Sequence, residues 1–184
     1  LFRSDYQGMQ QVWSDVFLKH STNTYITTQL NKAMDSLMAI NPPASVDWQH
    51  LRWFLLGLEY ISNEQTEESV LRSMAEFQRV VANAPNFVYG YAGMCKALVI
   101  KSKLTSDKIL LEEASHFCNK GELIDPDSYL INSALGNLHR VQGHLADAKR
   151  YLEKTLSIEP NDTSARINYG ENQLRDFLSS RDIN

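Results

Sequence analysis

Apolar residues recur at helical spacing along nearly the whole chain. Met9, Val12, Trp13, Val16 and Phe17 make one stripe, and Ile26, Leu30, Met34, Leu37 and Met38 a second. Ser21-Thr-Asn-Thr24 separates them with N-cap candidates, and Asn41-Pro42-Pro43 ends the second helix because proline cannot continue it. A third helix is predicted from His50 to Ile61, with Ser45 or Asp47 as its cap. Within it Trp53, Leu56, Gly57 and Tyr60 fall at i, i+3, i+4 and i+7. Their bulky side chains are expected to form the buried stripe, while Gly57 admits a second helix at close range. That second helix follows the break at Asn63-Glu-Gln-Thr66 and carries Val70, Leu71, Met74, Phe77, Val80 and Val81 to Pro85. Thr66 is its N-cap candidate. Ser69 stands where a capping box takes Glu or Gln, so the box reads as incomplete. Glu67 and Glu68 suit the positive end of the helix dipole.

The later chain repeats this plan. Tyr91, Met94, Cys95 and Leu98 stand where Trp53, Leu56, Gly57 and Tyr60 stood, and Ala114, Cys118 and Pro126 match the spacing of the second helix. Leu135-Gly136, a turn at Gly143, then Leu145, Ala148, Tyr151, Leu152 and Leu156 give the pattern again. Pro126 to Pro160 and Gly136 to Gly170 are both 34 residues, whereas Pro85 to Pro126 is 41. The extra residues are expected to carry a helix through Ile100 and to lengthen the turn at Lys101-Ser-Lys-Leu-Thr-Ser106. After a cap at Asn161-Asp162, residues 163–182 read as one helix. Ile167, Tyr169, Gly170, Leu174, Phe177 and Leu178 form its apolar side, and Arg166, Glu171, Arg175, Asp176 and Arg181 its wet side. It is either a terminal cap or the first half of a fourth repeat.

The spacing W-x-x-L-G-x-x-Y at Trp53–Tyr60, followed by Ser73-x-x-x-Phe77 and Pro85, resembles the tetratricopeptide repeat. The resemblance implies an all-α, right-handed superhelical array of antiparallel helix pairs over residues 50–184. It divides into 50–87, 88–128, 129–162 and a terminal helix 163–182. Residues 1–49 are then an N-terminal helical cap or a degenerate repeat; the cap is preferred because no W-x-x-L-G element precedes it. The run Asn86-Phe-Val-Tyr-Gly-Tyr-Ala-Gly-Met-Cys-Lys-Ala97 is similar to a bacterial subgroup. In that subgroup the repeats follow a winged-helix transcription regulator, a class III adenylate cyclase or a Ser/Thr kinase.

Composition narrows function without naming it. The 184 residues are 43% hydrophobic and 22% charged, as in ordinary globular proteins. A net charge of −4 argues against direct contact with nucleic acid. No apolar run approaches the roughly 18 residues that span a bilayer, so no membrane insertion is expected. The chain opens with Leu1 rather than Met and is read as a segment of a longer protein. A cytoplasmic location is preferred; a periplasmic one would follow from a membrane anchor upstream. Cys95 and Cys118 are read as two small buried thiols, the alternative being one disulfide in an oxidising compartment.

Neither a Gly-rich phosphate loop, a nucleophile elbow nor an H-E-x-x-H stretch is present, so the reading is a non-enzyme with no cofactor and no metal. His139 and His144, five apart, are poorly spaced for a shared ligand, and His139 is expected to be packed. What remains is binding. By position, the resemblance puts Tyr89, Ala92, Lys96 and Val99 on the concave face, with Leu130, Ser133, Asn137 and Arg140, then Ser164, Asn168, Glu171 and Arg175. The amides of Asn137 and Asn168 offer both donor and acceptor to a ligand backbone. Ser133 and Ser164 replace the lysines of the carboxylate-clamp subclass. Leu51, Phe54, Leu55 and Leu58 would be a bare apolar patch unless the N-terminal helices, a partner or a second copy covered them. Two functions follow: an interaction domain holding a peptide or partner protein in the groove, or a regulatory or dimerisation domain contacting its own chain.

Overall fold

The computed structural model describes residues 48–63 and 65–181, and these are helical throughout, with no strand among them. The expectations for residues 1–47, including the caps at Ser45 and Asp47, lie outside the described residues. Contacts divide the chain into two compact units between Ala84 and Pro85.

The described part of the first unit is one helical hairpin, α1 (Trp48–Asn63) and α2 (Glu67–Asn83). A short turn joins two helices packed on each other, so they run antiparallel. The capping box at the start of α2 is complete, against the sequence expectation: the Ser69 amide donates to Thr66 Oγ1 at 3.1 Å, and the Thr66 amide donates to Ser69 Oγ at 3.0 Å. A serine hydroxyl reaches back as a Glu carboxylate would. Close approach of the helices rests on Gly57, where a Cβ would lie 2.5 Å from the Phe77 ring. The Phe54 ring lies 5.9 Å from the same ring.

The burial of α1 differs from the expected stripe. Leu51, Phe54, Leu55, Leu58 and Ile61 are buried, whereas Trp53, Leu56 and Tyr60 are only half-buried. The helix is apolar on two faces, and the i, i+3, i+4, i+7 set starting at Leu51 is the one withdrawn from water. The anticipated bare patch is therefore covered; cover by N-terminal helices falls outside the described residues.

The second unit comprises α3 (Val88–Thr105), α4 (Ile109–Ile124), α5 (Tyr129–Gln142), α6 (Leu145–Ile158) and α7 (Thr163–Arg181). Helices α3 and α4 form a hairpin, as do α5 and α6; α5 also packs on α3 and α4, and α7 on α5 and α6. The 41-residue spacing is absorbed by helix rather than loop. Helix α3 runs on to Thr105, and only then does Ser106 turn the chain in the left-handed region, at φ 58°. Nothing in Lys101–Thr105 breaks a helix, since it holds neither Gly nor Pro.

Helices α2, α4 and α6 end alike, one residue short of the residue before a proline. The amides of Ala84, Asp125 and Glu159 donate to the carbonyls of Val80, Gly121 and Thr155 at 2.8, 3.0 and 2.8 Å, and Pro85, Pro126 and Pro160 follow. Proline clashes with a helical residue before it, which sets the stop.

The tight spot of the first hairpin recurs. In the α5–α6 hairpin a Cβ on Gly136 would stand 2.6 Å from Leu152 Cγ. In the α3–α4 hairpin the corresponding residues, Cys95 and Cys118, are joined by a disulfide with Cα atoms 5.4 Å apart. This corrects the reading of two free thiols: two small side chains facing each other where helices nearly touch are within bonding reach. At Gly170 nothing among the described residues lies within 4 Å of an added Cβ.

Helix α7 departs from expectation in its orientation. Its inward residues are Ala165 and Asn172, whose side-chain amide donates to the Leu145 carbonyl at 2.9 Å. Its apolar side faces out, with Ile167, Leu174, Phe177 and Leu178 each more than half exposed. Asp162 caps it by accepting from the Ala165 amide at 2.8 Å.

Candidate partner-binding face

Arg140, in the last turn of α5, is the centre of the polar face of the second unit. Its side chain is 5% exposed although it carries a guanidinium. Nη1 donates to Glu171 Oε2 at 2.5 Å, Nη2 donates to Asn137 Oδ1 at 2.9 Å, and buried Nε has no partner among the described residues. Arg175 Nη1 donates to the Arg140 carbonyl at 3.2 Å, so α7 grips both the side chain and the backbone of that last turn. A cation there also complements the carbonyl end of the α5 dipole.

Four of the expected residues, Asn137, Arg140, Glu171 and Arg175, are thus brought together. A fifth member was missed by sequence reasoning. Lys103 joins them because α3 continues past Ile100 and carries the Tyr89, Ala92, Lys96, Val99 face one turn further. The signal was present: 103 follows 99 by four and 96 by seven, the spacing of one helical face.

Electrostatics mark this cluster as cationic. Burial lowers the affinity of Lys103 for its proton, and Arg140 and Arg175 lower it further while Glu171 opposes them. Arg140 is shifted in the same direction, first by burial, then by Arg175, against the attraction of Glu171. Arg140 alone pairs with Glu171, while Arg175 binds the Arg140 carbonyl and Lys103 stands within electrostatic reach of all three, in a chain whose overall charge is −4. Such a cluster favours an incoming carboxylate or another anionic group, which would relieve the repulsion among the cations.

The other expected residues are spread along the same three helices. Tyr89 is half-buried in the first turn of α3 with its ring 4.9 Å from Phe87, and Lys96 is half-buried two turns further on. Fourteen residues separate Tyr89 from Lys103, roughly 20 Å along the helix. Leu130 and Ser133 on α5, and Ser164 and Asn168 on α7, are half-buried. Ala92 and Val99 are buried at 5% and 0%, which corrects their placement on an open face. From Val88 to Ile100 helix α3 is apolar or small on nearly every side and is buried except at the half-buried Tyr89 and Lys96, whereas its last turn, Lys103 to Thr105, is exposed.

His139 is packed. Its ring stacks on Tyr151 with centroids 5.4 Å apart and planes 1° from parallel, and the Tyr151 hydroxyl donates to Glu122 at 2.9 Å. Among the described residues no group of three His, Cys, Asp or Glu side chains converges as a metal site would. No helix of the described residues is long and apolar enough to cross a membrane. No protein-family model matches the chain, and no curated protein matches it.

Proposed function

We propose that this chain is a non-catalytic interaction domain of the tetratricopeptide type. In this reading its helical hairpins are repeats of a right-handed array, and the face built by α3, α5 and α7 holds a peptide or partner protein. The carrying observation is the buried Arg140, paired with Glu171 and bound through its carbonyl by Arg175, with Lys103 within electrostatic reach. An array of hairpins offers helix faces rather than a reaction cleft, and charge on such a face selects a partner more than it adds affinity. The domain then belongs to a larger bacterial regulatory protein, as the run Asn86–Ala97 suggested. The Cys95–Cys118 disulfide supports the periplasmic alternative for its location, since structural disulfides persist in oxidising compartments.

The test is affinity capture from the native host with intact protein, comparing wild type with Lys103→Glu/Arg175→Glu and with Asn137→Ala/Asn168→Ala. Recovery of a defined partner should fall several-fold in both variants. Unchanged recovery sinks the assignment of this face. A second reading, a regulatory or dimerisation domain of a transcription regulator, cyclase or kinase, is favoured by the half-exposed apolar side of α7.

A further inference from the structure

Helices α3 and α5 contain no Asp or Glu, yet they carry Lys96, Lys101, Lys103 and Arg140. On α2 and α6 the pattern is different. There Arg72, Arg79, Lys149 and Arg150 each have a carboxylate three or four residues away on their own helix. At the ends of α3 and α5, Arg140 is the cation with a carboxylate, that of Glu171. Lys103 is exposed and makes no hydrogen bond or ion pair among the described residues. Arg175, also exposed, donates to the neutral Arg140 carbonyl and has no carboxylate partner among the described residues. Arg140 itself, 4% exposed, keeps a buried Nε–H without a partner among them.

Asn137 adds to this excess of donors. A guanidinium has no acceptor, so the oxygen of the Asn137 amide is the atom that meets Arg140 Nη2, at 2.9 Å. What Asn137 has left for a ligand is its amino group. The expectation of both a donor and an acceptor there becomes a donor alone.

We propose that this corner takes the carboxylates of an acidic peptide segment of a partner protein, with Lys103 and Arg175 as the contacting cations and Asn137 as a neutral donor beside them. The inference rests on the reading of α3, α5 and α7 as a partner-binding face and adds the chemistry of what that face holds. Arg140 is a positioning residue, since Arg175 rests on its carbonyl. Glu171, half exposed, is the acceptor of the corner and repels an incoming carboxylate. A peptide is favoured over a nucleic acid. Beyond Tyr91 on α3 and Tyr129 on α5 those helices offer a base no ring to stack on except His139, which is packed on Tyr151. The net charge of −4 also repels a polyanion at long range, whereas a short acidic segment meets mainly the local cations.

The probe is a rhodamine-labelled peptide of alternating Glu and Gly, titrated with the full chain at low ionic strength and followed by anisotropy. Binding should saturate and weaken with added salt, and the matching peptide of Gln and Gly should not bind. Lys103→Gln/Arg175→Gln should weaken binding roughly tenfold, and Glu171→Gln should strengthen it. Arg72→Gln/Arg79→Gln, an equal change of net charge on α2, should leave it unchanged. Equal weakening by the two double variants would reduce the effect to overall charge and overturn the proposal. So would tighter binding of a labelled oligothymidylate, or no peptide binding while circular dichroism shows the protein folded. Loss of a captured partner in Lys103→Glu/Arg175→Glu without acidic-peptide binding would keep the face and strike the ligand class alone.

Discussion

Leu152 lies where a side chain on Gly136 would have to go. A Cβ there would stand 2.6 Å from Leu152 Cγ and 3.3 Å from the Leu152 backbone nitrogen. Gly57 stands in the same relation to Phe77, Cys95 is bonded at the corresponding place to Cys118, and Gly170 has open space among the described residues. One register thus yields three closed helix contacts and one open one.

The contrast predicts opposite signs for one chemical change. Gly57→Ala and Gly136→Ala force the facing side chain aside and should cost about 1–3 kcal/mol. Gly170→Ala adds a methyl in open space on a helix and should stabilise by about 0.5–1 kcal/mol. Urea denaturation of the three variants checks both signs.

Ser73 is fully buried, and its hydroxyl has no hydrogen-bond partner among the described residues. Ala114 and Ala148 occupy the matching positions of α4 and α6. Ser73→Ala removes an unsatisfied group and raises helix propensity, so stability should increase by about 1 kcal/mol. A lowered melting temperature would show that the hydroxyl is satisfied in solution.

The disulfide joins residues 23 apart and ties α3 to α4 with both sulfurs out of solvent. Cys95→Ala/Cys118→Ala should cost about 3 kcal/mol, chiefly through the freer unfolded chain. Burial should also protect the bond from dithiothreitol until the protein unfolds. Thiol counting by mass spectrometry, with and without denaturant, measures both.

His139 holds its proton less tightly than an ordinary imidazole. Burial is the main cause, His144 and Arg150 add to it, and Asp147 and Glu122 oppose it. As pH falls below the ordinary value of 6.5, the unfolded chain takes up the proton before the folded one does. The stabilising contribution is complete above that value and is lost as pH falls from it through the depressed native one. Melting curves from pH 7.5 to 5 should show this loss, and His139→Phe, which keeps the stack on Tyr151, should flatten it.

Arg140 and Glu171 should respond unequally to substitution. Arg140→Met replaces a buried cation by an apolar side chain of similar length and should change stability little. Glu171→Leu leaves the buried guanidinium without its carboxylate; because Glu171 is half exposed, the loss should be roughly 1 kcal/mol. Equal losses in thermal melts would contradict this account of the pair.

Much of the helical layout was legible because it depends on neighbours in the chain. Pro85, Pro126 and Pro160 end helices by local sterics, Gly143 takes a positive φ of 86° at the α5–α6 turn, and Asp162 caps the helix after it. Apolar spacing marked the helices themselves. Where local signals are weak the expectation fails: the spacing predicts a turn over Lys101–Ser106, but nothing before Ser106 stops a helix, and α3 carries Lys103 toward the polar face.

By itself the sequence determined which segments are helices and where Pro85, Pro126 and Pro160 end them, since bond geometry and sterics within a few residues decide those matters. Only the tertiary structure decided which face of each helix is withdrawn from water. Helices α1 and α7 share a register, yet Phe54, Gly57 and Ile61 are covered while Ile167, Gly170 and Leu174 are open. Tertiary packing also set Cys95 within bonding reach of Cys118 and buried Arg140 beneath α7. Burial depends on what residues distant in the chain bring into contact, and an apolar stripe reads the same whether or not anything lies upon it.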